Sequence, residues 1–477
     1  MEKRIFYNYS LILKNIAQYL PSRILVILSS FFILPIFTHI LDVKEVSIYL
    51  ISLQILNLFC TCSFDWISKA ILRFYEKYRL QNRLNEFFST IFIVSLIIYF
   101  ILGFIYSCSK NILISKFALN NTIFFLLLLL AIPCGIRQSL YQICRLKNFY
   151  TLYTVSIIIY QLLFITGFLW IVNYINNASA IIISMTLSIF AIDIILMLKT
   201  QEYHKLKLTF NNSMLAEIIK YGMPLIITNI LYWMTFYIPN MILQSSKMYL
   251  SASIMGASLA LADYTLQPFA SLFSFINFPI VVKHYERKNQ IKNYHTSTVE
   301  MYLYILLPIL FGFIFYSKEI ASVIFPAAYG YIAVILPFIA LKMFLHELLK
   351  LVNIKYHIQN RTYIEMSICI IVVLLFLFAN FKMMNNYTLL SAVLLVLTTE
   401  IILFLANIII KLKNENYISY KKVFKTAFKI ILIILISFIT VKIINIPDLD
   451  FLKIMEIILF LGINYSLLYI FRQKVLL

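Results

Sequence analysis

The chain has 477 residues, of which 62% are hydrophobic and 13% charged, with 40 Lys and Arg against 20 Asp and Glu. Soluble domains average about 45–50% apolar and about 25% charged residues, so this composition excludes a soluble globular protein. The net charge of +20 would suit a nucleic-acid-binding protein, but no basic domain stands apart from the apolar segments. We therefore expect an all-α polytopic membrane protein with no nucleic-acid partner.

Apolar runs of membrane-spanning length recur along the whole chain. A helix that crosses a bilayer needs about 20 mostly apolar residues, because in lipid the backbone must satisfy its own hydrogen bonds. The fourteen predicted spans are residues 18–41, 46–68, 86–107, 122–143, 152–173, 178–198, 219–244, 250–281, 300–316, 331–352, 363–380, 387–410, 426–445 and 451–471.

The Lys and Arg residues predict the orientation of these spans, since basic residues are retained on the cytoplasmic side. Alternate connections and both termini hold 26 of the 40, the opposite connections hold 6, and 8 lie inside predicted spans. This asymmetry predicts that both termini are cytoplasmic.

No segment of the sequence is typical of a soluble catalytic domain. The longest hydrophilic connections, 199–218, 282–299 and 411–425, are short, and no Walker A, glycine-rich phosphate loop or HExxH motif occurs. The six cysteines are scattered among apolar helices, so we expect neither a metal site nor a cofactor. The sequence predicts a protein that is not an enzyme.

A faint internal repeat divides the predicted spans. The first span has prolines at 21 and 35, and the seventh has prolines at 224 and 239. Matching broken helices in two halves are typical of transporters, although chance also places prolines in membrane helices. The repeat predicts two six-helix lobes, 1–198 and 219–410, related by a pseudo-twofold axis along the membrane normal. Residues 199–218 would be the linker between the lobes, and 411–477 would hold helices 13 and 14.

Four segments resemble Wzx-type polysaccharide repeat-unit flippases of the multidrug/oligosaccharidyl-lipid/polysaccharide exporter superfamily. They are residues 10–21 (SLILKNIAQYLP), 32–41 (FILPIFTHIL), 70–75 (AILRFY) and 221–226 (YGMPLI). Many such relatives carry an Asp-Arg pair late in the seventh helix, where this chain has Pro239 and Asn240. Any role of that pair therefore does not transfer to this chain.

The resemblance implies a function in O-antigen, capsule or related polysaccharide biosynthesis. It implies transport of undecaprenyl-diphosphate-linked oligosaccharides from the inner to the outer leaflet of a bacterial cytoplasmic membrane, by alternating access. The implied partners are this lipid-linked substrate, membrane lipids and the polymerase and chain-length proteins of the pathway. The alternatives are a membrane-embedded polymerase or ligase, and a cation-coupled small-molecule exporter of the same superfamily.

Ionisable residues inside the spans are the candidate site, because each costs about 2.5–3.5 kcal/mol at mid-bilayer unless it meets water or a partner. The substrate set combines a stripe at i, i+4 and i+8 on the tenth helix with two arginines: Lys342, His346, Lys350, Arg23 and Arg137. Lys and Arg supply charge and hydrogen bonds to a diphosphate. The acidic set, for ion coupling or charge pairing, is Asp263, Glu347 and Glu400.

Structural interpretations of the same residues stay open at this point. Interhelical pairing would equally explain Asp263, Lys342 and Glu400. Arg73 would face either lipid head groups or a cytoplasmic entrance. Near cytoplasmic helix ends, side chains commonly extend to the interface, and this is our expectation for Arg23, Asp193, Lys220, Glu365 and Lys429.

Overall fold

The computed structural model of the protein describes most of the chain. The described residues are 24, 27, 31, 33–147, 149–200, 211–284, 288–358, 361–414, 418–444 and 450–476. Within them all regular structure is helical, and no β-strand occurs. The predicted all-α class is confirmed.

Seventeen α-helices are described, and several are joined by single helical turns of other types. They are α1 (33–40), α2 (Val43–Cys60), α3 (Trp66–Leu80), α4 (Leu84–Cys108), α5 (Lys110–Phe117), α6 (Asn121–Leu146), α7 (Tyr150–Ile171), α8 (Ala178–Thr200), α9 (Asn212–Ser245), α10 (Tyr249–His284), α11 (Lys288–Phe315), α12 (Ser317–Ile324), α13 (Ile332–Ile358), α14 (Thr362–Met383), α15 (Leu389–Asn414), α16 (Tyr420–Ile444) and α17 (Asp450–Leu476).

Eleven helices among the described residues are long and apolar enough to cross a membrane. Each coincides with one of the fourteen predicted spans, so the chain is a multi-pass membrane protein. The predicted spans at 250–281 and 451–471 correspond to the continuous helices α10 and α17. The predicted first span lies mostly outside the described residues.

Prolines occur within several of the spanning helices without ending them. Proline removes one backbone hydrogen bond and kinks a helix, and neighbouring helices can satisfy the freed groups in membrane proteins. The residues concerned are Pro133 in α6, Pro224 and Pro239 in α9, Pro308 in α11 and Pro337 in α13. The two prolines of the predicted repeat in the second half therefore both lie within α9.

Helices α2, α3, α9 and α10 form much of the contact between the two predicted halves. A π-helical turn at Thr61–Asp65 joins α2 to α3, so that the backbone is helical from Val43 to Leu80. In this long helix α2 packs against α10, and α3 packs against α9. The spanning part of α2 is 83% buried, the highest value among the eleven candidate spans. Helix α2 is therefore central, not peripheral, to the bundle.

Two short helices occupy equivalent places in the predicted halves. Helix α5 follows the third predicted span, and α12 follows the ninth. A repeat of six helices relates these two places, so the short helices agree with the proposed division at 199–218. That division stays a prediction.

Cysteine labelling can test the predicted orientation. We expect Lys116→Cys in α5 to react with an impermeant thiol reagent added to whole cells, and Lys421→Cys in α16 not to react. Both positions are exposed in the structure. A Cys108→Ser background removes the one cysteine that is exposed among the described residues. Reaction at residue 421 in intact cells would reverse the orientation.

Candidate functional site

Helices α2, α10 and α13 expose polar side chains about four to five helical turns from their first residues. Between residues 46 and 65 of the second span the exposed side chain is Asn57, and between 251 and 273 of α10 the exposed side chains are Tyr264 and Gln267. Between 335 and 354 of α13 it is Lys350, whose side chain is 47% exposed. Lipid-facing positions here would be apolar, since polar groups in hydrocarbon are costly. These side chains therefore face the interior of the bundle.

Neighbours from both predicted halves surround Tyr264, one of these exposed groups. The Tyr264 hydroxyl is near enough to Tyr160 of α7 and Asp263 of α10 to interact with them electrostatically. Tyr49 of α2 is near enough to interact with both Tyr160 and Tyr264. The guanidinium of Arg137 in α6 lies 4.7 Å from the centre of the Tyr160 ring. We name the resulting set the interior polar surface: Asn57, Arg137, Tyr160, Asp263, Tyr264, Gln267 and Lys350.

The second-half side of this surface carries charges of both signs. Lys350 Nζ donates to Glu347 Oε1 at 2.7 Å, and Glu347 itself is only 5% exposed. Asp263 is within electrostatic range of both residues. The lysine therefore meets two carboxylates, and a bound anion would have to compete with them.

A second, fully buried group lies behind this surface, between α9, α13 and α15. Lys342 is 1% exposed, and its Nζ lies 3.9 Å from Glu400 Oε2, beyond hydrogen-bond length, while it contacts the Phe236 ring. His346 Nδ1 lies 3.2 Å from Glu400 Oε1. We name Lys342, His346 and Glu400 the buried charge cluster.

Aromatic rings and a further acid enclose the buried charge cluster. The His346 ring meets Tyr232 and Phe236 edge-on, with centroids 4.8 and 4.6 Å apart. The Tyr232 hydroxyl donates to Glu365 Oε1 of α14 at 3.1 Å. The imidazole is thus held by a carboxylate on one side and by two rings on the others, so its position is well defined.

The predicted stripe on the tenth helix divides between these two groups. Lys350 reaches the interior polar surface, whereas Lys342 and His346 face Glu400 inside the protein. Residues on one face of a helix can meet different neighbours, because successive turns lie about 5.4 Å apart along the axis. Lys342 and Glu400 lie close enough for charge pairing, and the role of the pair stays a prediction.

Two acids that we expected to extend to the interface are buried instead. Glu365 and Asp193 are each 4% exposed, and among the described residues neither carboxylate oxygen of Asp193 has a hydrogen-bond partner. The expectation was wrong because both face neighbouring helices, whereas Lys220 and Lys429 are exposed. Asp193 lies within electrostatic range of Arg137.

Arg73 belongs to a contact between α3 and α9 at the predicted cytoplasmic side. Its guanidinium lies 4.5 Å from the centre of the Tyr221 ring. Lys77 Nζ lies 2.6 Å from Glu217 Oε1, and the Tyr78 hydroxyl donates to Glu217 Oε2 at 2.8 Å. Burial and this hydrogen bond raise the pKa of Tyr78, which keeps its phenol protonated and donating. We name these residues, Arg73, Lys77, Tyr78, Glu217 and Tyr221, the α3–α9 contact.

Arg23, the other arginine of the predicted substrate set, lies outside the described residues.

Uncharged polar residues of the interior polar surface were missed by the sequence analysis. Asn57, Tyr160, Tyr264 and Gln267 carry no charge, whereas the candidates predicted from the sequence are charged or basic side chains within spans. A signal existed: Asn57 and Gln267 are amides in otherwise apolar helices, and Tyr264 directly follows Asp263. Their exposure to the interior depends on packing, which the sequence alone does not give.

A family of known proteins matches more than half of the chain. The profile of the family described as "Polysaccharide biosynthesis protein" matches residues 36–334. The chain belongs to this family. Membership confirms the resemblance found in the sequence. No curated protein matches the chain at a significant level.

Solved structures of transporters share the fold of this polysaccharide biosynthesis family member. The lipid II flippase MurJ in an inward closed conformation superposes with a TM-score of 0.66 at 14% identity, over 98% of this chain and 100% of its own. An outward-facing multidrug resistance MATE family transporter of the MOP superfamily gives 0.59 at 12% identity, over 82% and 93%. A mutant of the Vibrio cholerae MATE transporter VcmN gives 0.54 at 14% identity, over 86% and 99%. At these identities the likeness is one of fold.

Proposed function

We propose that this family member is a flippase for undecaprenyl-diphosphate-linked oligosaccharide repeat units. It would move them from the inner to the outer leaflet of a bacterial cytoplasmic membrane, with both termini cytoplasmic. The observation that carries the proposal is the interior polar surface, where a polar lining within the predicted spans meets helices of both predicted halves. Membership of a polysaccharide biosynthesis family supports a glycan as cargo, and the transporter fold supports movement rather than synthesis.

Arg137 and Lys350 are the proposed contacts for the diphosphate. Both lie on the interior polar surface, and each offers a permanent or nearly permanent positive charge with several N–H donors. Arg137 stacks on Tyr160 and forms no ion pair with a carboxylate among the described residues. Asp193 is near enough to interact with its charge, so a bound anion would share that charge with Asp193. The polyprenyl tail would remain in lipid while the polar part crosses between the halves.

Alternating access would supply the movement, with the two six-helix lobes rocking about the interior polar surface. Asp263 and Glu347 are the proposed groups for coupling to an ion gradient, because they reach this surface beside Lys350. Glu400 is the proposed charge partner of Lys342 rather than a ligand of the substrate. Arg73 is proposed to line the cytoplasmic entrance as part of the α3–α9 contact. The pathway's polymerase and chain-length proteins are the proposed protein partners.

Deleting the gene tests the proposed function. We expect lipid-linked repeat units to accumulate in the inner leaflet and surface polysaccharide to be lost, because synthesis of the units would continue without their export. The measurements are lipid-linked sugar analysis and surface glycan staining, with re-expression of the wild-type gene as the control. Normal surface glycan, in a strain with no second flippase, would contradict the proposal.

Assays of the purified protein and of cells test the two alternative functions. Elongation of a glycan chain in vitro would identify a polymerase or ligase instead. An exporter would be identified if cells that contain the protein resist small toxic compounds and the deletion strain has an unchanged surface glycan. Translocation of a fluorescent lipid-linked oligosaccharide in proteoliposomes is the result that we expect.

A further inference from the structure

We propose that Asn57, Asp263, Tyr264 and Gln267 bind the sugars of the repeat unit, and that this wall selects uncharged sugars over acidic ones. We name these four residues the α2–α10 wall. The inference rests on the proposed function and deepens it, since it concerns the cargo and not the direction of transport. Four observations carry it, namely exposure, depth, chemistry and charge.

The wall is exposed where its surroundings are not. Tyr264 is 39% exposed and Gln267 and Asn57 are exposed, while nearly every other residue along these stretches of α2 and α10 is buried or half-buried. The side chains are therefore held on packed helices and project from them. A site built on rigid elements places its contacts more accurately than one built on loops.

The four residues lie at similar depth in the membrane. Counted from the first residue of each helix, Asn57 in α2 and Asp263 in α10 occupy the same position, about four helical turns in. This is about 21 Å from the predicted outer surface, and Gln267 lies about one turn deeper. Lys350 occupies the same position in α13 as Gln267 does in α10. The wall thus extends outward from the level of the proposed diphosphate contact.

The chemistry of the wall suits neutral sugars. Each sugar hydroxyl both donates and accepts hydrogen bonds, and an amide side chain offers an acceptor and two donors. The face of the Tyr264 ring carries the negative part of the aromatic quadrupole, which attracts the weakly positive C–H groups of a sugar ring. Thr61 donates to Asn57 Oδ1 at 3.1 Å, which orients this amide with its NH₂ group free to turn toward a ligand.

Charge decides between neutral and acidic sugars. Asp263 is part of the wall, and Glu347 lies within its electrostatic range. Like charges brought together away from bulk water are costly, so a uronic acid placed here would be repelled. Lys350 does not offset this repulsion, because its single charge is shared between Glu347, to which it donates at 2.7 Å, and the proposed diphosphate of the same cargo. An oligosaccharide of neutral sugars meets no such penalty.

Binding to the purified full-length protein in nanodiscs tests the inference. The probes are three short-chain polyprenyl diphosphates: one without sugar, one with a neutral disaccharide, and one whose second sugar is glucuronic acid. We expect the neutral probe to bind at least about tenfold more tightly than the acidic probe, and more tightly than the bare diphosphate. Asp263→Asn should reduce this preference.

Variants of the wall localise the effect. Tyr264→Leu and Gln267→Leu should each weaken binding of the neutral probe by at least about tenfold, as loss of a built hydrogen-bond or ring contact does. Binding of the bare diphosphate should not change. Tyr264→Phe keeps the ring and should retain most of the affinity. The matched control is Thr265→Val, because Thr265 is buried between these positions and its hydroxyl donates to its own helix.

Each outcome decides the inference. Equal or stronger binding of the acidic probe would overturn the selectivity, and so would uronic acids in the host's surface glycan. Equal binding of the bare and neutral probes would overturn the sugar site while leaving the proposed function intact. Binding of none of the three probes would overturn the proposed function and this inference together.

Discussion

Replacing Lys342 by Met is expected to remove most of the folded protein from the membrane. Lys342 and Glu400 are each 1% exposed, and Lys342 Nζ is the ammonium nearest to Glu400 Oε2 among the described residues. Methionine preserves much of the side-chain volume, so the change removes the charge with little loss of packing. It leaves a buried carboxylate whose remaining hydrogen-bond contact among the described residues is His346, and breaking a buried ion pair costs about 3–5 kcal/mol.

The paired variant separates charge from volume. Lys342→Met together with Glu400→Gln removes both charges, and replacing a whole buried pair by neutral groups is often tolerated. We therefore expect the double variant to recover most of the protein level that the single variant loses. The measurement is the amount of monodisperse protein extracted from the membrane, with its melting temperature.

Lys350→Met is the matched control on the same helix. Its side chain is half exposed on the interior polar surface, so the protein level should change little while transport falls. A normal level of active Lys342→Met protein would contradict the pairing. A double variant no better than the single one would show that packing, not charge, makes Lys342 necessary.

Helix positions could be predicted from the sequence because the bilayer imposes one strong rule. A spanning helix needs a long apolar run, and each of the eleven described candidate spans coincides with a predicted run. The proline positions did not predict where a helix ends, since Pro224 and Pro239 both lie within the continuous helix α9. Pattern and length were sufficient here because the constraint acts on each helix separately.

Side-chain surroundings could not be predicted in the same way. Asp193 and Glu365 lie near helix ends, where the interface is within reach, yet neighbouring helices bury both. Lys342 and Lys350 share one face of α13, yet one meets Glu400 and the other Glu347. Burial and pairing depend on which helices pack together, and apolar periodicity carries no signal for that in a membrane. The sequence therefore identified the candidate charged residues, but it did not separate those of the interior polar surface from those of the buried charge cluster.

Linking α3 to α9 is expected to stop transport almost completely. Lys77→Cys with Glu217→Cys replaces the ion pair of the α3–α9 contact, and both positions are partly exposed, so a cleavable bis-maleimide can join them. Helix α3 belongs to the first predicted half and α9 to the second. Alternating access requires the cytoplasmic side to open between the halves so that the substrate can enter. An exposed ion pair contributes about 0.2–1 kcal/mol, so it can break in each transport cycle. A covalent link cannot break in this way and holds the two helices together.

A matched pair on one half controls for the chemistry of linking. Arg83 and Glu86 form an ion pair of the same length, 2.6 Å, with similar exposure, but both belong to the first predicted half. Linking Arg83→Cys to Glu86→Cys should therefore leave translocation in inside-out vesicles unchanged. In the Lys77/Glu217 protein the inactive fraction should equal the linked fraction, and cleaving the linker should restore activity. Full activity in fully linked protein would mean that α3 and α9 stay together throughout the cycle, and the opening would then have to lie elsewhere.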